Sequence, residues 1–238
     1  MRTLAAIFVS IIMAVGIAVS GSYIQDGLIN LRSSDRFVTV KGLAEQDVKS
    51  DLAVWPIQFK VAGDDLSATQ QELKRQEQVI RAFMQKYGIG ADEITVQQIQ
   101  VSDALANQYR PDNIGSRYTI DATIGVRTNN VDAVATAAQH IGDLVADGVL
   151  LGYGVLPQFS FTKLNDIKPQ MVADATANAR EAAQQFANDS GAKVGAIRSA
   201  SQGYFSISAR DDVQTMPSSA SLYKKVRVVS TVDYYLHD

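Results

Sequence analysis

Hydrophobic and polar residues alternate in several stretches of the chain, a pattern typical of strands with one buried face. The two clearest stretches each place five alternate residues on one face: Ala53, Trp55, Ile57, Phe59 and Val61, then Tyr118, Ile120, Ala122, Ile124 and Val126. The clean alternation of the second stretch predicts a central strand. Weaker alternation at residues 38–42, 94–101, 194–208 and 224–236 predicts further strands, and the last two should form an antiparallel pair.

Three irregularities indicate where these strands end or bend. The strand that carries Val38 is predicted to end at Gly42, before a polar turn. Pro56 has no N–H for a sheet hydrogen bond, so its strand should lie at a sheet edge or carry a bulge there. The alternation changes phase at Gln97-Gln98, which indicates a bulge because one extra residue switches the face that side chains share.

Three segments between the strands have helical periodicity. The first is predicted to be capped by Asp64-Asp65 and Ser67, where Ser67 and Gln70 fit a capping box, and to end at Gly88. The second runs from residue 131 to about residue 148, and the third, rich in alanine, has Pro169 in its first turn. The positions predicted to be buried in the first two helices are Leu73, Ile80, Phe83, Met84, Tyr87, Val131, Val134, Ala138, Ile141 and Val145. The alanine-rich helix can lie close to a sheet or to a helix of a neighbouring subunit.

The first 30 residues differ from the rest of the chain. From Leu4 to Ile24 there are 21 residues without a charge, and a helix of that length spans a hydrocarbon core of about 30 Å. The predicted anchor residues are Leu4, Ile7, Phe8, Ile11, Ile12, Val15, Val19 and Ile24. Residues 1–30 are therefore interpreted as a signal-anchor and residues 31–238 as one domain. The alternative is cleavage near Ser20, which would release the domain.

The predicted architecture is α+β, with a mixed, mostly antiparallel sheet whose faces are covered by helices, behind one N-terminal transmembrane helix. At 238 residues with 46% hydrophobic residues, the chain is long enough for a substantial core.

Composition and motifs give little support to a catalytic or nucleic-acid function. The net charge of −3 without clustered Lys or Arg argues against nucleic acid, and the absence of Cys excludes disulfides and thiolate ligands. The pair His140 and Asp143 would share a helical face but is too small for a zinc site, and the other histidine, His237, is the penultimate residue. We predict no catalytic residues, no metal, no cofactor and no enzymatic activity.

The longest polar segment of the domain is residues 209–221. A loop of this length is either functional or mobile, and both interpretations remain open. As a functional loop it would contact a partner protein, and the candidate contact residues are Asp211, Asp212 and Met216.

Short motifs along the chain resemble the SIMPL domain family of bacterial cell-envelope proteins. They begin with Val38, Val40 and Gly42, continue with Asp51-Leu52-Ala53 and Gly88-Ile89, and end with Gly191-x-Lys193-Val194-Gly195 and a closing strand. The resemblance implies a SIMPL-like fold, assembly into a homo-oligomer and a role linked to envelope or oxidative stress.

The resemblance and the N-terminal segment together predict a non-catalytic protein anchored in the bacterial inner membrane, with its domain in the periplasm. Its partners would be copies of itself, the lipid bilayer and an envelope protein. One alternative is a periplasmic protein released by cleavage near Ser20. The other is an adaptor that binds a membrane or peptidoglycan component through residues 209–221.

Overall fold

The protein is described by a computed structural model that covers residues 36–106, 115–211 and 217–237, with the isolated positions Met13, Gly16, Ser20 and Gly21. The strands are β1 (Phe37–Lys49), β2 (Leu52–Gly63), β3 (Ile94–Asp103), β4 (Tyr118–Thr128), β5 (Gln158–Ser160), β6 (Lys193–Gln202), β7 (Ser206–Ala209) and β8 (Tyr223–His237). The helices in this part of the chain are α1 (Leu66–Lys86), α2 (Val131–Gln139), α3 (Gly142–Ala146) and α4 (Leu164–Asp189). The α+β class with antiparallel sheets is confirmed.

The described residues form two compact units. Unit 2 consists of Glu45–Lys168 and Ser206–Arg227, and unit 1 contains the described residues up to Ala44, Pro169–Phe205 and those from Val228 onward. Along the sequence, the chain passes twice from unit 1 to unit 2 and back to unit 1. As a result, β1, α4 and β8 each contribute residues to both units.

The main core lies in unit 2, where the strand order is β3-β4-β2-β5 and all pairs are antiparallel. The predicted alternation of β2 is confirmed, since Trp55 and Ile57 are fully buried opposite Val126 and Ile124 of β4. Trp55 Nε1 donates to Val155 O over 2.8 Å, which satisfies the one polar atom of this side chain. The apolar faces of α1, α2 and α3 complete this core. The prediction that β4 is central is also confirmed.

The position of Pro56 is tolerated because, among the described strands, none pairs continuously with that side of β2. The register between β2 and β4 runs without a shift past Pro56, so no bulge lies between these two strands. On the other side, β5 pairs only with residues 52–54, and the next contact is the bridge between Phe59 and Leu151. Pro56 therefore lies in a local gap, where its missing N–H removes no sheet hydrogen bond.

Unit 1 is built on portions of β1, β8 and β6, in that order, with α4 packed beside them. One stripe of α4 is buried at every fourth position: Met171, Ala175, Ala179, Ala183 and Ala187. The predicted close approach of this helix to a sheet is confirmed at Gly42. A Cβ on Gly42 would overlap the carbonyl oxygen of Ala175 and lie 2.9 Å from the Cβ of Ala179. Only glycine leaves room for the helix backbone at this point of β1.

Two strand predictions need correction. The strand β1 does not end at Gly42 but continues to Lys49, so the predicted polar turn is strand, and only Ser50 and Asp51 separate β1 from β2. The predicted last pair contains a third strand, since β6 and β7 both pair with β8.

The predicted helix boundaries also need correction. The helix predicted at residues 131–148 is two helices, α2 and α3. In α3, Val145 was predicted to be buried but is exposed, and Leu144 is buried instead. The helix α4 begins five residues before Pro169. Of the predicted capping residues of α1, Asp65 is confirmed as the N-cap, since its carboxylate accepts from Ala68 N over 2.7 Å, whereas Ser67 lies inside the helix.

The eight predicted anchor residues, Leu4, Ile7, Phe8, Ile11, Ile12, Val15, Val19 and Ile24, lie outside the described residues. In the ranges that are described, no helix has both the length and the apolar character needed to cross a bilayer.

Candidate functional site

The outer strand of the unit 2 sheet, β3, exposes an apolar surface. Val96, Ile99 and Val101 are 42%, 54% and 51% exposed, and we call these three residues the β3 strip. They lie opposite Ile124, Ala122 and Ile120 of β4, so they belong to the face of the sheet that forms the core. The β3 strip is thus the outermost part of the core-facing side of the sheet, where the apolar side chains stay exposed.

The sequence of β3 contains few of the features that protect an edge strand. Edge strands are commonly guarded by Lys, Pro or a bulge, and residues 94–103 contain no Lys, Arg or Pro. The predicted bulge is confirmed, with the register shift between Val96 and Gln98. Beyond it, residues 98–103 run in regular register with β4. Among the described strands, β4 is the sole partner of β3.

The one charged residue of β3 is Asp103, at its C-terminal end. At its C-terminal end, Asp103 pairs with Arg117 over 3.1 Å, and the Arg117 guanidinium and the N–H of Leu105 lower the pKa of the Asp103 carboxyl. The middle of β3 carries Gln98 and Gln100, which lie opposite Thr123 and Asp121 on the polar face of the sheet. The stretch from Ile99 to Val101 therefore contains no charged residue.

The segment predicted to contact a partner connects β7 to β8. Its described start is tied to β8 because Arg210 N donates to Tyr223 O over 3.0 Å. Asp211 is exposed and pairs with Arg210 over 2.8 Å, and this guanidinium lowers the pKa of the Asp211 carboxyl. Asp212 and Met216 lie outside the described residues. The structure therefore places one of the three predicted contact residues, Asp211, on the surface of unit 2.

A buried lysine beside the end of this segment was not singled out from the sequence. Lys224 is 5% exposed, and its Nζ donates to Ser218 O over 2.6 Å and to Ser219 O over 3.4 Å. Burial lowers the pKa of the Lys224 ammonium. The sequence does contain a signal for this burial: Lys224 has the same strand parity as the buried Val226 and Val228, so alternation places it on their face.

The two residues of the predicted polar pair on the second helical segment, His140 and Asp143, each contact other side chains or backbone. His140 Nδ1 lies 3.0 Å from Thr136 O and its ring stacks on Tyr87 with 5.5 Å between centroids. Asp143 lies 3.7 Å from Lys86 Nζ. Within the described ranges, no group of three His, Cys, Asp or Glu residues could hold a metal ion.

A comparison with protein families matched residues 38–233 to the SIMPL model, which is described as "Protein of unknown function (DUF541)". The chain belongs to the SIMPL family. The SIMPL match begins in β1 and ends in β8, so it includes β3, the segment at residues 209–221 and Lys224. No curated protein matches the chain. Because the SIMPL description names no activity, the function has to be argued from the surfaces described above.

Proposed function

We propose that this SIMPL protein is a non-catalytic, membrane-anchored protein of the bacterial cell envelope that assembles into a homo-oligomer through β3. The observation that carries the proposal is the open edge of β3 together with the exposed β3 strip.

The backbone of β3 offers the polar groups that a second strand needs. Between residues 98 and 103, alternate residues direct both their N–H and their C=O groups at β4, and the residues between them direct both groups outward. Edge groups of this kind pair readily with another strand. A second copy of β3, running antiparallel, would continue the sheet across the interface.

Side chains favour the same arrangement. Pairing of two β3 strands would place the β3 strip of each copy beside that of the other, on the face that is already apolar. Removing this surface from water contributes about 25 cal/mol per Å² of apolar area. Both copies use the same patch, as a twofold interface requires.

The location rests on the N-terminal segment and on the family resemblance. The uncharged stretch from Leu4 to Ile24 supports an anchor, and anchored copies share a plane, which raises their effective concentration for pairing. The resemblance supports a periplasmic domain and a link to envelope or oxidative stress.

Substitution of Ile99 by Lys should convert the oligomer into a smaller species, because the charge would lie inside the paired β3 strips. The mass of the full-length protein in nonionic detergent, measured by light scattering, tests this. The matched control is Gln100→Lys, which adds the same charge to the same strand on its polar face and should keep the wild-type mass. An unchanged mass for Ile99→Lys, or a monomeric wild type, would contradict the proposal.

Direct evidence for the strand pair comes from single cysteines, since the natural chain has none. Cysteines scanned through residues 98–101 should form disulfide-linked dimers under oxidation in membranes. A cysteine at Tyr153, which is 98% exposed in unit 2, is the control for random collision and should not.

A further inference from the structure

Lys224 is buried in unit 2, and in the part of the chain that the structure describes no carboxylate pairs with its ammonium group. Lysine is almost never fully buried unless it is paired. Among the described residues, its only polar contacts are the carbonyl oxygens of Ser218 and Ser219. Its neighbour Lys225 has the opposite strand parity, is partly exposed, and places its Nζ 3.8 Å from a carboxylate oxygen of Glu45.

Lys224 lines a cavity of about 270 Å³. Three apolar side chains, Phe159, Phe161 and Ile207, form part of its wall, and four serines complete it: Ser160, Ser208, Ser218 and Ser219. An engineered apolar cavity of about 150 Å³ holds a benzene molecule, so this one has room for a ring with a short substituent. Lys224 is the one charged residue in the described lining.

The hydrogen bonds of Lys224 leave capacity for a ligand. An ammonium group has three donors, and two of them are directed at carbonyl oxygens, of which the second is distant at 3.4 Å. The third donor can serve an acceptor inside the cavity. A charged acceptor would form the stronger bond and would also balance the buried charge.

We propose that the cavity at Lys224 binds a small apolar carboxylic acid, with the carboxylate on Lys224 Nζ and the apolar body against Phe159, Phe161 and Ile207. A single positive charge matches a monoanion, whereas a phosphate group with about two negative charges favours more than one cation or a cradle of backbone N–H groups. The serine hydroxyls can donate to the second carboxylate oxygen. This inference goes beyond the proposed assembly, because the cavity is built by β5, β7, β8 and the turn at Ser218–Ala220 and does not include β3.

Such a carboxylate has two sources: a free organic acid, or the C-terminal residue of a peptide. Both present the same group, and the size of the cavity admits one apolar side chain in either case. The simplest alternative is that Lys224 only holds the turn at Ser218–Ala220 through its carbonyl oxygens, and then the cavity has no preference for an anion.

Titration of full-length protein in nonionic detergent with 3-phenylpropionate separates these accounts. We expect saturable binding by calorimetry, at least about tenfold tighter than that of 3-phenylpropanamide, which has the same shape without the charge. Lys224→Met should remove this preference, whereas Lys225→Met, the same change on the neighbouring exposed lysine, should keep it. Because the acid and the amide are compared on the wild type, the test holds even if Lys224→Met fails to fold.

The source is tested with a short peptide that ends in phenylalanine, compared with its amidated form. Binding of the free-carboxylate peptide and of 3-phenylpropionate supports a C-terminal residue as ligand, and binding of 3-phenylpropionate alone supports a free acid. Equal affinity for 3-phenylpropionate and its amide, or no binding of the acid by the wild type, would overturn the proposal.

Discussion

The carboxylate of Glu72 on α1 is held in its ionised form by two neighbouring side chains. Arg75 donates to it twice, over 2.8 and 2.7 Å, and Gln76 Nε2 donates over 2.9 Å. These contacts, that of Arg75 first, lower the pKa of Glu72 to about 2. The ionised form is therefore favoured in the folded protein relative to the unfolded chain, where a glutamate has a pKa of about 4.3.

A lowered pKa stabilises the fold above the unfolded value, and the benefit is lost as the pH falls from about 4.3 towards 2. The pair is exposed, so Glu72→Gln should reduce the free energy of unfolding by less than about 1 kcal/mol at pH 7. Urea unfolding of wild type and variant across this range is the measurement. The difference should be constant above about pH 5 and should disappear near pH 2; a difference that persists at pH 2 would disprove this origin.

At the scale of single residues, the sequence predicted apolar positions well and charged ones poorly. Trp55 and Ile57 are buried as expected because alternation and hydrophobicity agree there. Lys224 shows the reverse case: its strand parity favours burial, whereas a lysine ordinarily lies at the surface, and the sequence analysis made no prediction for it. The contacts that satisfy its ammonium come from Ser218 and Ser219, and nothing in a local pattern shows that these carbonyls lie within reach.

The packing of α4 on β1 depends on Gly42 of the strand and on the buried alanine stripe of the helix. Gly42→Ala should destabilise the domain by about 1–3 kcal/mol, because the new methyl group overlaps backbone atoms of α4 that have no freedom to rotate away. Thermal or urea unfolding measures the loss. Gly142→Ala is the control, since a Cβ at Gly142 of α3 meets nothing within 4 Å and should leave the stability equal or slightly higher. Equal stability of Gly42→Ala and wild type would refute the tight contact.

At the scale of elements, the sequence predicted most of the helices and strands themselves, but not the residues at which they begin and end. The bulge in β3 and the central position of β4 followed from the phase of the alternation. The continuation of β1 past Gly42 did not, because glycine and the polar residues that follow it are typical of a turn. Their actual reason is tertiary: Gly42 admits α4, and Glu45 farther along β1 lies near Lys225 and Arg227 of β8.

For the whole molecule, the α+β class and the antiparallel pairing were predicted correctly, but the division into two units was not. Unit 1 is assembled from separate stretches of the chain, and a pattern read along the sequence carries no information on which distant stretches share a core. The exposed edge of β3 was missed for the same reason: that no second described strand pairs with β3 becomes visible only in the assembled sheet.

The anchor is a prediction about the intact polypeptide. Protein purified from bacterial membranes should have the mass of a chain that retains residues 1–20, and carbonate washing should leave it in the membrane fraction. A mature chain that begins near Gly21 and is removed by the wash would show that the leader is cleaved. Assembly through β3 would then need no membrane, and the Ile99→Lys experiment would apply to the released domain.

The position of β8 between two other strands determines when its sheet can form. This 15-residue strand lies between β1 and β6, and Asp233 accepts from both Thr39 and Ser199 across it, so residues 194 positions apart meet there. Because β8 follows β1 and β6 in the sequence, a ribosome makes it after both of the strands that it joins. This sheet can therefore form only once β8 has been synthesised.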